Sequence, residues 1–142
     1  MTKGIMNWFL ESLRQVESLT QVEPYEGQFE DPEDITVFPP AAFVILQKME
    51  NNKEELNPEL VILVSVYLVT THVAGTSPNG MLDLIDSVVE LLHFKGVHSL
   101  NDDETDSLYF GRCILTKSAF YGILPGMSVS KLDFTIRKNH VH

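Results

Sequence analysis

The 142-residue sequence has the length of one domain, and a chain of this length buries roughly two-thirds of the surface that it exposes when unfolded. Hydrophobic residues make up 44% and charged residues 21%, so the composition excludes wholesale disorder and a coiled coil. A net charge of -10 and a pI near 4.8 exclude a protein that holds nucleic acid by neutralising phosphates, since that requires clustered Lys and Arg. We expect a protein that repels DNA and anionic membranes.

The charge is divided unevenly along the chain. Residues 1–106 carry 19 acidic and 5 basic residues, whereas residues 107–142 carry 1 acidic and 5 basic residues, which gives -14 for the first part and +4 for the second. Such a division arises by chance on solvated faces, or it marks a subunit whose opposite ends complement each other in an assembly.

Apolar residues recur at helical spacing near the N-terminus, at Ile5, Phe9, Leu13 and Val16. This spacing predicts a first helix over residues 4–19. A short extended piece follows over residues 22–25. An acidic loop comes next, interrupted by Gly27 and Pro32.

Two apolar runs in the middle of the chain predict a pair of strands. Pro39 and Pro40 precede the first run, residues 41–49. Since a proline pair starts a strand rather than interrupts one, we predict that a strand begins directly after them. The second run, residues 59–71, is rich in Val, Ile and Tyr, and the polar residues between the runs predict a hairpin with a long connection. Continuous apolarity over residues 60–64 predicts that both faces of the sheet are covered there, one by helices and the other by a second sheet or another subunit.

After a loop containing Gly, Ser and Pro over residues 72–79, helical spacing returns. The apolar positions are Met81, Leu82, Ile85, Val88, Val89 and Leu92. They predict a second amphipathic helix that ends before Gly96. A second acidic loop over residues 101–107 precedes a strand over residues 108–123, with a bend at Gly111.

The last segment alternates as a strand does, with Leu132, Phe134 and Ile136 on one face. Met127 and Val129 are out of phase with these residues. A bulge near position 130 or 131 would reconcile the two sets.

Together these elements predict an α+β fold, a mostly antiparallel sheet of four to five strands with two helices packed on one face. Residues 1–138 form the single predicted domain, and residues 139–142 form a polar C-terminal tail.

Two loops have partial ligand-binding patterns, and both patterns fail. Gly75 and Gly80 have the outer spacing of a phosphate loop, but Met81 and Leu82 stand where Lys and Ser or Thr must be. The acidic loop over residues 101–107 resembles the start of a calcium loop without its glycine and its final glutamate. We therefore predict no cofactor and no metal site.

The residues that carry nucleophilic or metal chemistry do not assemble into a recognisable set. The five histidines are His72, His93, His98, His140 and His142. Their spacing, with the single Cys113, closes no tetrahedral zinc site, and no serine lies in a nucleophile elbow. Cys113 lies in an apolar stretch, which is typical of a small buried side chain. We predict no catalytic residues and a protein that is not an enzyme.

Most aromatic residues lie in predicted strands or at their borders, where packing in the core explains them. They are Phe38, Phe43, Tyr67, Phe110, Phe120, Tyr121 and Phe134. We therefore expect these side chains in the core.

Several segments resemble one protein family in their order and spacing. They are Leu13-Arg-Gln-Val in the first helix, Val-Glu-Pro-Tyr-Glu-Gly after it, Phe-Pro-Pro-Ala-Ala-Phe-Val at the strand start, and Leu-Asp-Leu-Ile-Asp-Ser-Val-Val-Glu-Leu-Leu in the second helix. Together with the paired C-terminal strands, they resemble the tail terminator or tail completion proteins of long-tailed phages, particularly the Mu-type tail completion group. The resemblance covers nearly the whole chain.

This resemblance implies a structural protein that forms a ring, usually of six subunits, on the finished tail tube. Such a ring ends tube polymerisation, forms the surface onto which the head docks, and surrounds a passage for DNA without binding it specifically. The implied partners are copies of the same chain, the tail tube protein and a head-tail connector or neck protein. The implied location is the tail-head junction of a virion assembled in the cytoplasm of the host bacterium, with no membrane contact.

A negative lining in a DNA passage repels phosphates and lowers friction. On the acidity of the two loops alone, the candidate channel or interface residues are Glu30, Asp31, Glu33, Asp34, Asp102, Asp103, Glu104 and Asp106. Solvated surface loops are the alternative for these residues.

Two other functions fit the sequence. One is a different head-tail neck or joining component of the same class of virion. The other is a small-ligand-binding bacterial enzyme or regulator whose site lies in the loop over residues 72–80.

Overall fold

The computed structural model describes residues 2–31, 33, 35–52, 59–71, 79–99 and 108–139, and within them the chain forms two helices and six strands. In chain order these are α1 (Thr2–Leu13), β1 (Gln21–Pro24), β2 (Ala41–Asn52), β3 (Glu59–Thr71), α2 (Asn79–Leu92), β4 (Gly96–Ser99), β5 (Leu108–Leu124) and β6 (Met127–Asn139).

The strands form one sheet in the order β1-β2-β3-β6-β5-β4. The α+β class is confirmed, and β3 has the predicted bounds. The sheet is larger than the predicted four to five strands, because β4 was missed: it is only four residues long, with Val97 as its one buried apolar side chain. β1 runs parallel to β2, whereas the other neighbours are antiparallel. The long connection over residues 25–40 makes the parallel pairing feasible.

The sheet curls around α1. This helix contacts β1 and β2 at one edge of the sheet and β4 at the other edge, while α2 contacts β3 and β5. One helix reaches both edges only if the sheet wraps towards it. Ile5, Phe9 and Leu13 of α1 are fully buried against the inner face, beside Phe134 of β6. The prediction of two helices on one face is therefore confirmed.

Helix α1 ends at Leu13, six residues before the predicted end. After it, backbone hydrogen bonds span three residues rather than four, as from the Leu19 amide to the Val16 carbonyl at 3.1 Å. Val16 and Leu19 nevertheless pack against the core. The helical spacing of Val16 and Leu19 therefore indicated that their side chains are buried, and a series of tight turns buries them as a helix would.

The predicted bulge in the last strand was wrong. β6 pairs with β3 without interruption, and the extra residues lie on β5, at Thr116 and Tyr121. Met127 and Val129 are simply on the other face of β6, the outer face of the sheet. There the chain's own segment, residues 25–38, covers them.

This segment covers the outer face only beside Tyr67 and Val69 of β3, so the expectation of a second sheet or another subunit over residues 60–64 stays a prediction. The apolar cluster beneath it comprises Phe29, Val37, Ala41, Phe43, Tyr67, Val69 and Val129. All of these side chains are buried. The acidic loop is therefore also an apolar cover.

Three further predictions concern single positions or short segments: the bend at Gly111, the domain boundary and the calcium pattern. At Gly111 the backbone has φ of +146°, and beside it the pairing of β4 with β5 shifts by one residue, as the predicted bend requires. The predicted domain boundary at residue 138 falls inside β6, and residues 140–142 lie outside the described residues. The rejected calcium pattern over residues 102–107 also lies outside them.

Candidate interaction surfaces

The candidate acids divide between described and undescribed parts of the chain. Glu30, Asp31 and Glu33 are exposed on the segment over residues 25–38. The Glu30 carboxylate accepts a hydrogen bond from the Tyr25 hydroxyl at 2.9 Å. Asp34 and the four candidates of the second loop, Asp102, Asp103, Glu104 and Asp106, lie outside the described residues. The structure therefore places three of the eight, on one loop.

Beneath these acids, aromatic rings hold the segment to the outer face of the sheet. Tyr25 and Tyr121 both lie against Tyr67, with ring centroids 4.9 and 5.0 Å from it, and Phe29 lies 5.5 Å from the same ring. Burial raises the pKa of Tyr25, and the hydrogen bond to Glu30 raises it further. Burial also raises the pKa of Tyr67. Both hydroxyls are therefore neutral in the folded protein at physiological pH.

A different surface lies at the end of the β5-β6 hairpin, residues 116–127, which we call the hairpin end. Phe120 and Ile123 are each 65% exposed there, and Tyr121 is 53% exposed. The expectation that Phe120 and Tyr121 lie in the core was wrong. Large apolar side chains grouped on a surface are typical of an interaction site.

The backbone of the hairpin end is also open on one side. β4 pairs with β5 only as far as Arg112, and residues 93–95 continue the bonding as far as Leu115. Among the described residues, nothing else bonds to that edge of β5 between residues 116 and 124. An edge of this kind invites a partner.

The opposite edge of the sheet has a groove between β1, the end of α1 and the chain before β2. This edge groove has a volume of about 480 Å³ and is lined by Arg14, Leu19, Val22, Glu23 and Phe38, among others. Phe38, another aromatic residue expected in the core, is 66% exposed. The groove therefore offers apolar surface with acidic and basic side chains beside it.

At the β1 edge, the Gln21 side chain holds the part of the chain that precedes β2. The Gln21 side chain accepts a hydrogen bond from the Phe38 amide at 2.7 Å and donates one to the Thr36 carbonyl at 3.1 Å. A partner at this edge therefore meets the groove and the segment that Gln21 holds beside it.

The uneven charge of the sequence has a spatial counterpart. The basic residues of the last 36 positions all lie on β5 and β6: Arg112, Lys117, Lys131, Arg137 and Lys138. The exposed acids among the described residues lie on α1 and the turns after it, β1, the segment over residues 25–38, β2 and α2. Two strands near one edge of the sheet are therefore basic in an otherwise acidic protein.

The residues with catalytic potential serve the fold. Burial raises the pKa of the Cys113 thiol to about 12, so it is not a nucleophile at neutral pH. His93 accepts a hydrogen bond from the Leu115 amide at 3.0 Å through Nδ1. Ser65 donates to Asp133 at 2.6 Å, but its side chain is fully buried.

The described part of the chain also lacks two other features. It contains no group of three or more His, Cys, Asp or Glu side chains placed to hold a metal ion. None of its helices combines the length and the apolar character needed to cross a membrane. The surfaces that distinguish this molecule are therefore the hairpin end, the edge groove and the charged faces.

No family model matches the sequence, and no curated protein matches it. Among solved structures, the chain is similar to a chain of the virion of a native gene transfer agent particle. The two share 14% sequence identity with a TM-score of 0.56, over 97% of this chain and 96% of the other. The similarity shows a common fold along almost the whole of both chains.

Proposed function

We propose that this protein is a structural component of a phage-like virion, and specifically a tail terminator that caps the tail tube as a ring. The observation that carries the proposal is the shared fold with a virion chain over 97% of the sequence. A match to a fragment would suggest only a common motif, whereas this match covers almost the whole of both chains. The resemblance of the sequence to phage tail terminators gives the finer assignment.

The surfaces of the molecule support a ring. Head-to-tail ring closure requires two different complementary surfaces on each subunit. The hairpin end and the edge groove are unlike each other and lie at opposite edges of the sheet. The fold therefore has the kind of asymmetry that a cyclic assembly uses.

The charge supports a passage for DNA. Six subunits of -10 each give a ring of about -60. Glu30, Asp31 and Glu33 are exposed and are our candidates for a repulsive lining or an interface. DNA would pass without specific binding, and the ring would contact the tube protein on one side and a connector or neck protein on the other, at the tail-head junction.

Light scattering tests the proposal on the pure protein, alone and with tail tube protein, followed by negative-stain imaging. We expect rings of about six copies on tube ends, because a terminator must bind the last tube ring and close the structure. A protein that leaves tubes uncapped and does not alter their length would contradict the proposal.

A second candidate is another head-tail neck or joining component. The same observation favours it, since similarity to a virion chain specifies no position within the virion. Arrest of tube polymerisation separates the two. A terminator added to growing tubes shortens them, whereas a joining component leaves their growth unchanged and binds only capped tails.

A further inference from the structure

We infer that the hairpin end of one copy docks on the edge groove of a second copy, side by side. From the proposed function, the inference takes only the head-to-tail ring, and it rests on the proposed function to that extent. Binding to a tube plays no part in it.

The two surfaces lie at the same level of the sheet. One row of directly paired residues crosses five strands: Gln21, Ala41, Val69, Val129 and Gly122. The next row runs through Val22, Ala42, Leu68, Ser130 and Phe120. Each row begins at the edge groove and ends at the hairpin end. A neighbour placed beside the sheet at the same height therefore brings the two surfaces together.

The apolar side chains also share a face. Phe120 pairs opposite Ser130 and Ile123 opposite Ser128, so both point to the same side of the hairpin, which is the inner face. Val22 of the groove packs with the cluster on that inner face. Phe120 and Ile123 of one copy are thus placed to meet the apolar part of the next copy's groove, including Phe38.

The net charges beside the two surfaces are opposite, because Arg14 of the groove is paired with Glu11 at 2.7 Å. Lys117 precedes the exposed part of the hairpin end and is itself exposed. Glu23, on β1 at the opposite edge, lines the groove and is also exposed. Two hairpin ends facing each other would bring lysines together, so like-to-like pairing is disfavoured. Hairpin-to-groove pairing brings opposite charges together and propagates from copy to copy, and a rotation closes it into a ring.

Complementation between two variants tests this interface. Phe120→Glu damages the hairpin end and leaves the groove intact, whereas Phe38→Glu damages the groove and leaves the hairpin end intact. Both side chains are at least 65% exposed, so the folded subunit tolerates either change. Leu82→Glu is the matched control, because Leu82 is 55% exposed on α2 and belongs to neither the hairpin end nor the lining of the edge groove.

Sedimentation equilibrium measures the masses, and circular dichroism checks that each variant is folded. We expect each interface variant alone to associate about 30-fold more weakly than the wild type, as for loss of a hot spot. An equimolar mixture of the two forms dimers and nothing larger, because each pair has one intact interface. Leu82→Glu assembles as the wild type does.

Three results would overturn the inference: a wild-type protein that is monomeric at about 1 mM, a mixture that stays monomeric, or interface variants that still assemble. The outcome is separable from that of the tube experiment. Rings that ignore tubes support this interface and contradict the terminator function, while monomers that cap tubes do the reverse.

Discussion

The two halves of β5 belong to one strand and pair with the same neighbour, β6, yet their surroundings differ. Residues 108–115 are enclosed by β4, residues 93–95 and the helical layer, and Phe110 and Cys113 are buried there. Residues 116–124 have an open edge and three exposed large apolar side chains. Burial in the first half stabilises the subunit. The second half leaves equivalent side chains in solvent, which is costly in a monomer and useful in an assembly.

The largest expected contrast is between the two phenylalanines of β5. Phe110→Ala removes a ring that is 2% exposed, and we expect it to lower the free energy of unfolding by about 4 kcal/mol. Phe120→Ala removes a ring that is already in solvent, so the change in a dilute monomer should be within about 0.5 kcal/mol. Urea denaturation of both variants measures the difference. Equal losses of unfolding free energy in the two variants would contradict the view that Phe110 lies in the core and Phe120 on the surface.

The two glycines of β5 give the next contrast. A Cβ on Gly111 would lie 2.4 Å from the Arg137 carbonyl oxygen, and φ there is +146°. Gly111→Ala should therefore cost about 3 kcal/mol, since backbone must move. A Cβ on Gly122 meets nothing within 4 Å, so Gly122→Ala is the control, with an effect within about 0.5 kcal/mol. Thermal unfolding decides: a Gly111→Ala protein as stable as its control would show that the strand relaxes freely.

A smaller effect is expected where the enclosed half ends. His93→Ala leaves the Leu115 amide without its acceptor, which should cost about 1 kcal/mol. His98→Ala is the control, because the exposed His98 ring lies against Tyr109 and accepts no backbone hydrogen bond from the described residues. Amide exchange at Leu115 should rise in the first variant and stay unchanged in the second. Unchanged amide exchange at Leu115 in both variants would show that His93 does not protect the end of the enclosed half of β5.

The effect that is smallest at moderate pH is a dependence on alkaline pH, which costs less than about 1 kcal/mol below about pH 9.5. Burial raises the pKa of Cys113 from 9.0 to about 12, so the folded protein keeps the thiol protonated while the unfolded chain ionises. This contribution to stability is intact below pH 9 and is lost as pH rises towards 12. The Cys113→Ala protein should lose less stability across that window. A thiol reagent that modifies folded wild-type protein at pH 8 as fast as it modifies the unfolded chain would contradict this burial.

Periodicity in the sequence was sufficient to predict most of the elements. β3 and α2 were predicted well because long apolar patterns have one obvious period. The end of α1 was not, since Val16 and Leu19 are buried through turns rather than helix. Met127 and Val129 were misread for a related reason. Their burial depends on the segment over residues 25–38, which alternation along one strand does not reveal.

The interaction surfaces were harder to predict than the fold. The acidity of the loops drew attention to Glu30 and its neighbours, while Phe120 and Phe38 were assigned to the core. One signal in the sequence argued against placing both rings in one core. Phe120 and Tyr121 are adjacent in a strand, so their side chains point to opposite faces of the sheet. No sequence pattern predicted that the bonding of β4 and residues 93–95 to β5 stops at Leu115. This end point depends on how far a four-residue strand reaches.

Side-chain footprinting with hydroxyl radicals tests most directly whether the two halves of β5 have different roles. In dilute monomer, we expect oxidation of Phe120 and Ile123 and protection of Phe110. In the assembled state, Phe120 and Ile123 become protected and Phe110 does not change. Oxidation of Phe120 and Ile123 at the same rate in monomer and assembly would contradict the account, because the open half of β5 would then be no part of the interface.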